Sequence, residues 1–69
     1  MKLSARNVIP GKVVAIQKGA TTAHVRIEIA GGQVLTSSIT NEAVDELGLT
    51  IGSTASAVIK ASDVLVAVD

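Results

Sequence analysis

Between residues 21 and 30 the chain reads TTAHVRIEIA, and its apolar and polar side chains alternate without a break. Ala23, Val25, Ile27 and Ile29 fall on one side, Thr22, His24, Arg26 and Glu28 on the other. A period of two means a strand with one face on a core and the other in water, because successive side chains leave a pleated backbone on opposite sides. The Gly31-Gly32 pair that follows predicts a hairpin turn, since glycine reaches positive φ without steric cost. QVLTSSIT, residues 33–40, is then the returning strand. Upstream, Val8 to Gln17 is a further strand, interrupted by Pro10-Gly11 and ended by Lys18-Gly19, with Val14 and Ile16 expected on one face.

After Asn41 the pattern changes. In EAVDELG, residues 42–48, Ala43, Val44 and Leu47 recur at helical spacing, acids crowd the first turn and Gly48 suits the left-handed position that ends a helix. This predicts a helix of about two turns, with Thr40 or Asn41 as its N-cap. Leu49 to Gly52 is a turn, and TASAVIK and DVLVAV supply two last strands joined at Ala61-Ser62. Three strands, a helix and two strands is the chain order of an OB-type barrel. The expected fold is therefore all-β with one short helix, a five-stranded OB-like Greek-key barrel forming a single domain over residues 1–69.

A domain of 69 residues has a small core and needs support from disulfides, a structural metal or association. Cysteine is absent and His24 is the sole histidine, which removes disulfides, thiolate zinc and a histidine-rich metal site. Association remains. Val58, Ile59, Val64, Leu65, Val66 and Val68 are apolar on both faces of the pleat, and a second copy of the chain is the simplest cover for the outer one.

The same composition narrows function. Six Lys and Arg balance six Asp and Glu, so no basic field gathers a nucleic-acid backbone, and no Phe, Tyr or Trp exists to stack bases. No run is long and apolar enough to span a bilayer or form a signal peptide, so the chain reads as cytoplasmic. Neither GxxxxGK[ST] nor GxGxxG occurs. His24, between Thr22 and Arg26 on the polar side of its strand, reads as a solvated or interface histidine rather than a triad base. The reading is of a binding protein, not an enzyme, without a cofactor or a metal held directly by side chains.

What stands out is a supply of donors beside cations. Ser4 and Arg6 lie in an extended N-terminal segment, and Lys60 and Ser62 flank the small Ala61 at a strand junction; Thr36, Ser37, Ser38 and Thr40 add hydroxyls before the helix. A tetrahedral oxyanion accepts at every oxygen, so it wants N–H and O–H donors, a cation and no close carboxylate. The plainer alternative is that Ser4 and Asn7 turn an N-terminal arm while Lys60 guards a strand edge.

SARN at 4–7, GKVV at 11–14, EIAGG at 28–32, DELGL at 45–49 and AVIKASDV at 57–64 together resemble the molbindins, the small molybdate-binding Mop proteins, over essentially the whole chain. The resemblance implies an OB-like barrel assembled as a homohexamer, a trimer of dimers, with oxyanion sites at subunit interfaces. Ser4, Ala5 and Arg6 match one side of the family's site, and Lys60, Ala61 and Ser62 match the segment supplied by a neighbouring chain. A second class of site near the three-fold axis has Lys18, Gly19, Ala20 and Thr40 as candidates. The function implied is cytoplasmic storage and homeostasis of molybdate, with tungstate as competitor. The alternatives are a nucleic-acid-binding small barrel and an assembly module without ligand.

Overall fold

The computed structural model describes residues 2–69. Strands β1 (Asn7–Lys18), β2 (Thr22–Ile29), β3 (Val34–Thr40) and β4 (Thr54–Ile59) form one antiparallel sheet, and helix α1 (Asn41–Glu46) lies between β3 and β4 in the chain. Their order across the sheet is β3-β2-β1-β4. Three hairpin-connected strands with a fourth returning beside the first is the Greek-key arrangement.

β1 organises the sheet. Its first half pairs with β4, from Asn7 opposite Ile59 to Lys12 opposite Thr54, and its second half pairs with β2, from Gly11 opposite Ile29 to Lys18 opposite Ala23. The strand changes partners where it bends, and two local features permit the bend. At Gly11 a Cβ would stand 2.6 Å from the Glu28 carbonyl oxygen and from Ile27 Cγ2, so only glycine allows β2 so close. At Val14 the register slips by one residue, a bulge that sharpens the local twist. The bulge also corrects the expected pairing of Val14 with Ile16. Val14 turns to solvent, whereas Val13 is fully buried and Ile16 half-buried.

The inner face of the curl holds Val13, Ala23, Val25 and Ile27, with Ile16, Ile29, Ile39, Leu49, Ala55 and Ala57 around them. The alternation of β2 is thus realised, its outward row of Thr22, His24, Arg26 and Glu28 exposed. α1 closes one end of the curl by inserting Val44 into this core. Thr40 is its N-cap, the hydroxyl accepting from the Ala43 N–H at 3.0 Å, and Gly48 takes φ of 63° just beyond it. Leu47, expected on the apolar face, sits past the last helical residue and is two-thirds exposed.

The fifth strand is not formed. After β4 a single 3-10 turn, Ala61–Asp63, sends the chain away from the sheet, and residues 64–69 have no ladder partner. Leu65, Val66 and Val68 are 92%, 90% and 91% exposed. Without that strand the sheet stays a curled, four-stranded layer with β3 and β4 as its edges. The two edges face a groove of about 240 Å³ with Ile27 in its lining. The DVLVAV pattern was sound as a strand pattern, but a strand exists only when an edge pairs with it, and within one chain the tail meets none.

Candidate functional site: two donor strips at one end of the sheet

The residues 4–6 and 60–62 are far apart in sequence, and the β1–β4 register decides from which end of the sheet each of them leaves. Asn7 is opposite Ile59, and the Asn7 Nδ2–H donates to the Ile59 carbonyl at 3.1 Å in a half-buried position. Ser4, Ala5 and Arg6 lead into one member of this pair, and Lys60, Ala61 and Ser62 lead out of the other. Both strips therefore leave the same end of the sheet, from adjacent strands of one chain.

The turn after β4 has a donor character of its own. Lys60 is extended at φ −64°, ψ 138°, and its carbonyl accepts from the Asp63 N–H at 2.9 Å, while the Ala61 carbonyl accepts from the Val64 N–H at 3.2 Å. Among the described residues no backbone bond engages the N–H groups of Ala61 or Ser62. Ser4, Arg6, Lys60, Ala61 and Ser62 are exposed, and Ala5 is half-buried. The one ion pair among the described residues is Lys18 with Asp45, at 2.7 Å, so neither Arg6 nor Lys60 has a carboxylate in contact. A surface with unused N–H and O–H donors, two cations and no paired acid is chemically suited to an anion.

The second set of candidates lies at the far end of β1. Lys18 and Gly19 line a concavity of about 280 Å³ together with Gln17, Thr22 and His24. Ala20 and Thr40 are not in its wall, and the Thr40 hydroxyl is engaged as the helix cap. Gln17, Thr22 and His24 were missed as candidates at this position. Their signal was present, since Gln17 and His24 are cross-strand partners once the register of the β1–β2 hairpin is set. Thr36, Ser37 and Ser38 lie along β3: Ser38 is opposite His24, and Thr36 and Ser37 line the groove between β3 and β4. Among the described residues no group of three or more His, Cys, Asp or Glu is placed to hold a metal ion, and no helix is long and apolar enough to cross a membrane.

Comparison with known proteins fits this geometry. Residues 3–66 match the TOBE domain family. A probable molybdenum-pterin-binding protein of Haemophilus influenzae is 51% identical over 69 residues, covering both chains completely. Among solved structures, MopII from Clostridium pasteurianum in an apo form superposes with a TM-score of 0.91 at 46% identity, covering 97% of this chain and all of that one. The cytoplasmic molybdate-binding protein ModG with molybdate bound gives 0.91 at 52% identity, covering 94% of this chain and 46% of that one. With the donor turn, the curled Greek-key sheet and these full-length matches in agreement, the chain belongs to the TOBE domain family, among the molybdenum-pterin-binding Mop proteins.

Proposed function

We propose that this protein reversibly binds molybdate, with tungstate as a near-isosteric competitor, between the Ser4–Arg6 strip and the Lys60–Ser62 turn, as a cytoplasmic store. The observation that carries the reading is the convergence of those two strips at one end of the β1–β4 pair with their cations unpaired. Lys60 supplies a charge-assisted donor, Ser4 and Ser62 supply hydroxyls, and the main chain at Ala5, Arg6, Ala61 and Ser62 supplies N–H groups. An all-donor surface disfavours singly protonated phosphate, whose own hydrogen needs an acceptor. Sulfate must be rejected on size. The chain has no aromatic side chain to stack a pterin ring, which favours the inorganic anion over a pterin-bound form.

The site is completed by association. Its residues are almost all exposed, so one chain wraps only one side of an anion and a second must cover the other. The unpaired tail provides the means. Residues 64–69 match β4 in length, are apolar as far as Val68, and follow directly on the donor turn, while the groove between β3 and β4 has backbone edges to offer. Seating the tail of one chain in the groove of another removes both exposed surfaces and fastens the donor turn at the interface. We take the hexamer, a trimer of dimers, as the assembly. A second, weaker oxyanion position is assigned to the concavity at Lys18 and Gly19.

Titration calorimetry with molybdate, sulfate and phosphate, paired with native mass spectrometry, tests this reading. Molybdate is expected to bind far more tightly than sulfate to an oligomer. Equal heats for the two anions, or an oligomer indifferent to all three, refute it; the latter leaves a purely structural assembly module.

A further inference from the structure

We propose that the tail of a second copy enters the groove between β3 and β4 as a fifth strand, antiparallel to β4 and parallel to β3, with Val64, Val66 and Val68 turned inward and the two chains exchanging tails reciprocally. The inference rests on the reading that one copy's tail is seated on another, and adds the direction of the tail, its buried row and the way the pair closes.

The groove extends beyond the hollow of about 240 Å³ that holds Leu35, Val58 and Ile59. A second hollow of about 170 Å³, lined by Ile39, Leu47, Leu49 and Ala55, shares Ile27, Ser37 and Ser56 with the first. One channel therefore runs from the donor end of the sheet to the end closed by α1, along the length of β4. Alternate residues of its two banks face in: Leu35, Ser37 and Ile39 from β3 and Ala55, Ala57 and Ile59 from β4 are half-buried, and the residues between them are exposed. Two unpaired edges flanking a row of half-buried side chains are what remains when one strand is missing from a small barrel. Six extended residues reach about 20 Å, which is the length of β4 and of residues 64–69 alike. Leu47, two-thirds exposed at the far mouth, needs cover as much as the donor end does.

Neighbours in the order β3-β2-β1-β4 are all antiparallel, so β3 and β4 run in opposite directions, and an inserted strand is parallel to one and antiparallel to the other. Hydrogen bonding alone does not choose between the two directions; the donor turn does. Lys60–Ser62 stands just before the tail, and Ser4–Arg6 of the receiving chain leaves the sheet beside Ile59, so only a tail that starts at the Ile59 end brings the two strips together. Entering there, the tail runs antiparallel to β4, and Val68 reaches the level of Ala55 and Leu47. Asp69 then finishes at the end where Glu46 lies, but both are exposed and water screens the repulsion. The buried row follows from the period of two. Asp69 shares a face with Leu65 and Ala67, and turning that face in carries a carboxylate into the groove, whereas the other face is three valines that fit above the small Ala55 and Ala57. Leu65 is left on the outer face, at the end where Val58 is exposed. Because a tail leaves its own sheet at the donor end and enters its neighbour's groove at the donor end, the two donor ends abut and the neighbour's tail emerges beside the first chain's groove. The exchange closes in pairs, with one anion site for each chain.

The test is disulfide trapping with the full chain, whose lack of cysteine leaves no background. The double variants Leu47→Cys with Val68→Cys and Leu47→Cys with Val64→Cys replace only exposed side chains, so the fold of each chain is kept. Under mild oxidation without any oxyanion, the first is expected to give a disulfide-linked dimer on a non-reducing gel and the second none, since the bond forms only between neighbouring backbones. Linkage of the second variant instead overturns the direction and leaves the seating; linkage within one chain overturns the exchange; linkage of neither overturns the seating and the strand together. Sedimentation velocity on Val66→Lys and Leu65→Lys reads the row. The first is expected to be monomeric and the second to keep the oligomer, its ammonium reaching water from the outer face; any other pattern overturns the row. Because no anion is present, a protein that links as expected yet binds no molybdate keeps the fifth strand and loses only the function proposed above.

Discussion

The two ends of β1 are built on opposite plans. At its C-terminal end the turn and helix start are tied together by side-chain and backbone bonds: Lys18 with Asp45, Asn41 with Gly19 and Thr21, Thr40 with Ala43. At its N-terminal end one side-chain bond, Asn7 to Ile59, locks the strands together, and beyond it the donors of Ser4–Arg6 and Lys60–Ser62 are left uncommitted. The first end spends its polarity on holding the helix plug over the core. The second holds polarity in reserve, and a surface that satisfies nothing internally is one whose partners come from outside. The difference explains why a single chain has a settled core at one end and an unfinished boundary at the other, where the tail leaves the sheet.

This contrast can be broken most decisively at the tail. Truncation after Asp63 removes Val64, Leu65, Val66 and Val68, all exposed and unpaired. Sedimentation velocity is expected to show the oligomer replaced by monomer, and molybdate binding is expected to fall with it, by mass action. An unchanged sedimentation coefficient would show that association uses another surface. Next in size is the bend of β1. Gly11→Ala puts a methyl against the Glu28 carbonyl and Ile27 Cγ2, and overpacking of this kind destabilises by about 1–3 kcal/mol; thermal or urea denaturation measures it.

The unfastened end is sharpened by Lys60→Ala. Loss of a hydrogen bond from a charged donor costs about 1.5–3 kcal/mol, so molybdate affinity should drop by about tenfold or more while the melting temperature hardly moves. Ser62→Ala should weaken binding less, as a neutral donor is worth about half as much. Binding unaffected by Lys60→Ala would return that lysine to the role of a solvated strand-edge charge. At the fastened end the same exchange of roles is expected in reverse. Thr40→Ala should lower stability by about 1 kcal/mol and leave the tighter molybdate sites alone. Smallest of all in stability is Lys18→Gln, because an ion pair whose side chains are 46% and 68% exposed is screened by water and contributes well under about 1 kcal/mol.

Much of the fastened region was legible in the sequence. The alternation of residues 22–29, the Gly31-Gly32 turn with both φ values near 90°, the Thr40 cap and the left-handed Gly48 are set by rules spanning a few residues, and the structure follows them. The bulge at Val14 was hidden, since an extra residue in a strand is recognised only against its partner, β2. The donor strips were legible as chemistry, residue by residue. That they leave one end of the sheet was not, because it depends on a pairing that spans 52 positions in the chain.

The sequence alone settled the local elements, the charge balance and the stock of donors, all of which are properties of short windows of chain. Only the tertiary structure decided that the donors share one end of the sheet, that Gln17, Thr22 and His24 gather around the Lys18 turn, and that the final apolar segment has nothing in its own chain to pair with. The physical reason is that a strand's tendency is written in its residues, whereas its hydrogen-bond partner is supplied by whichever backbone edge the fold, or another copy of it, brings alongside.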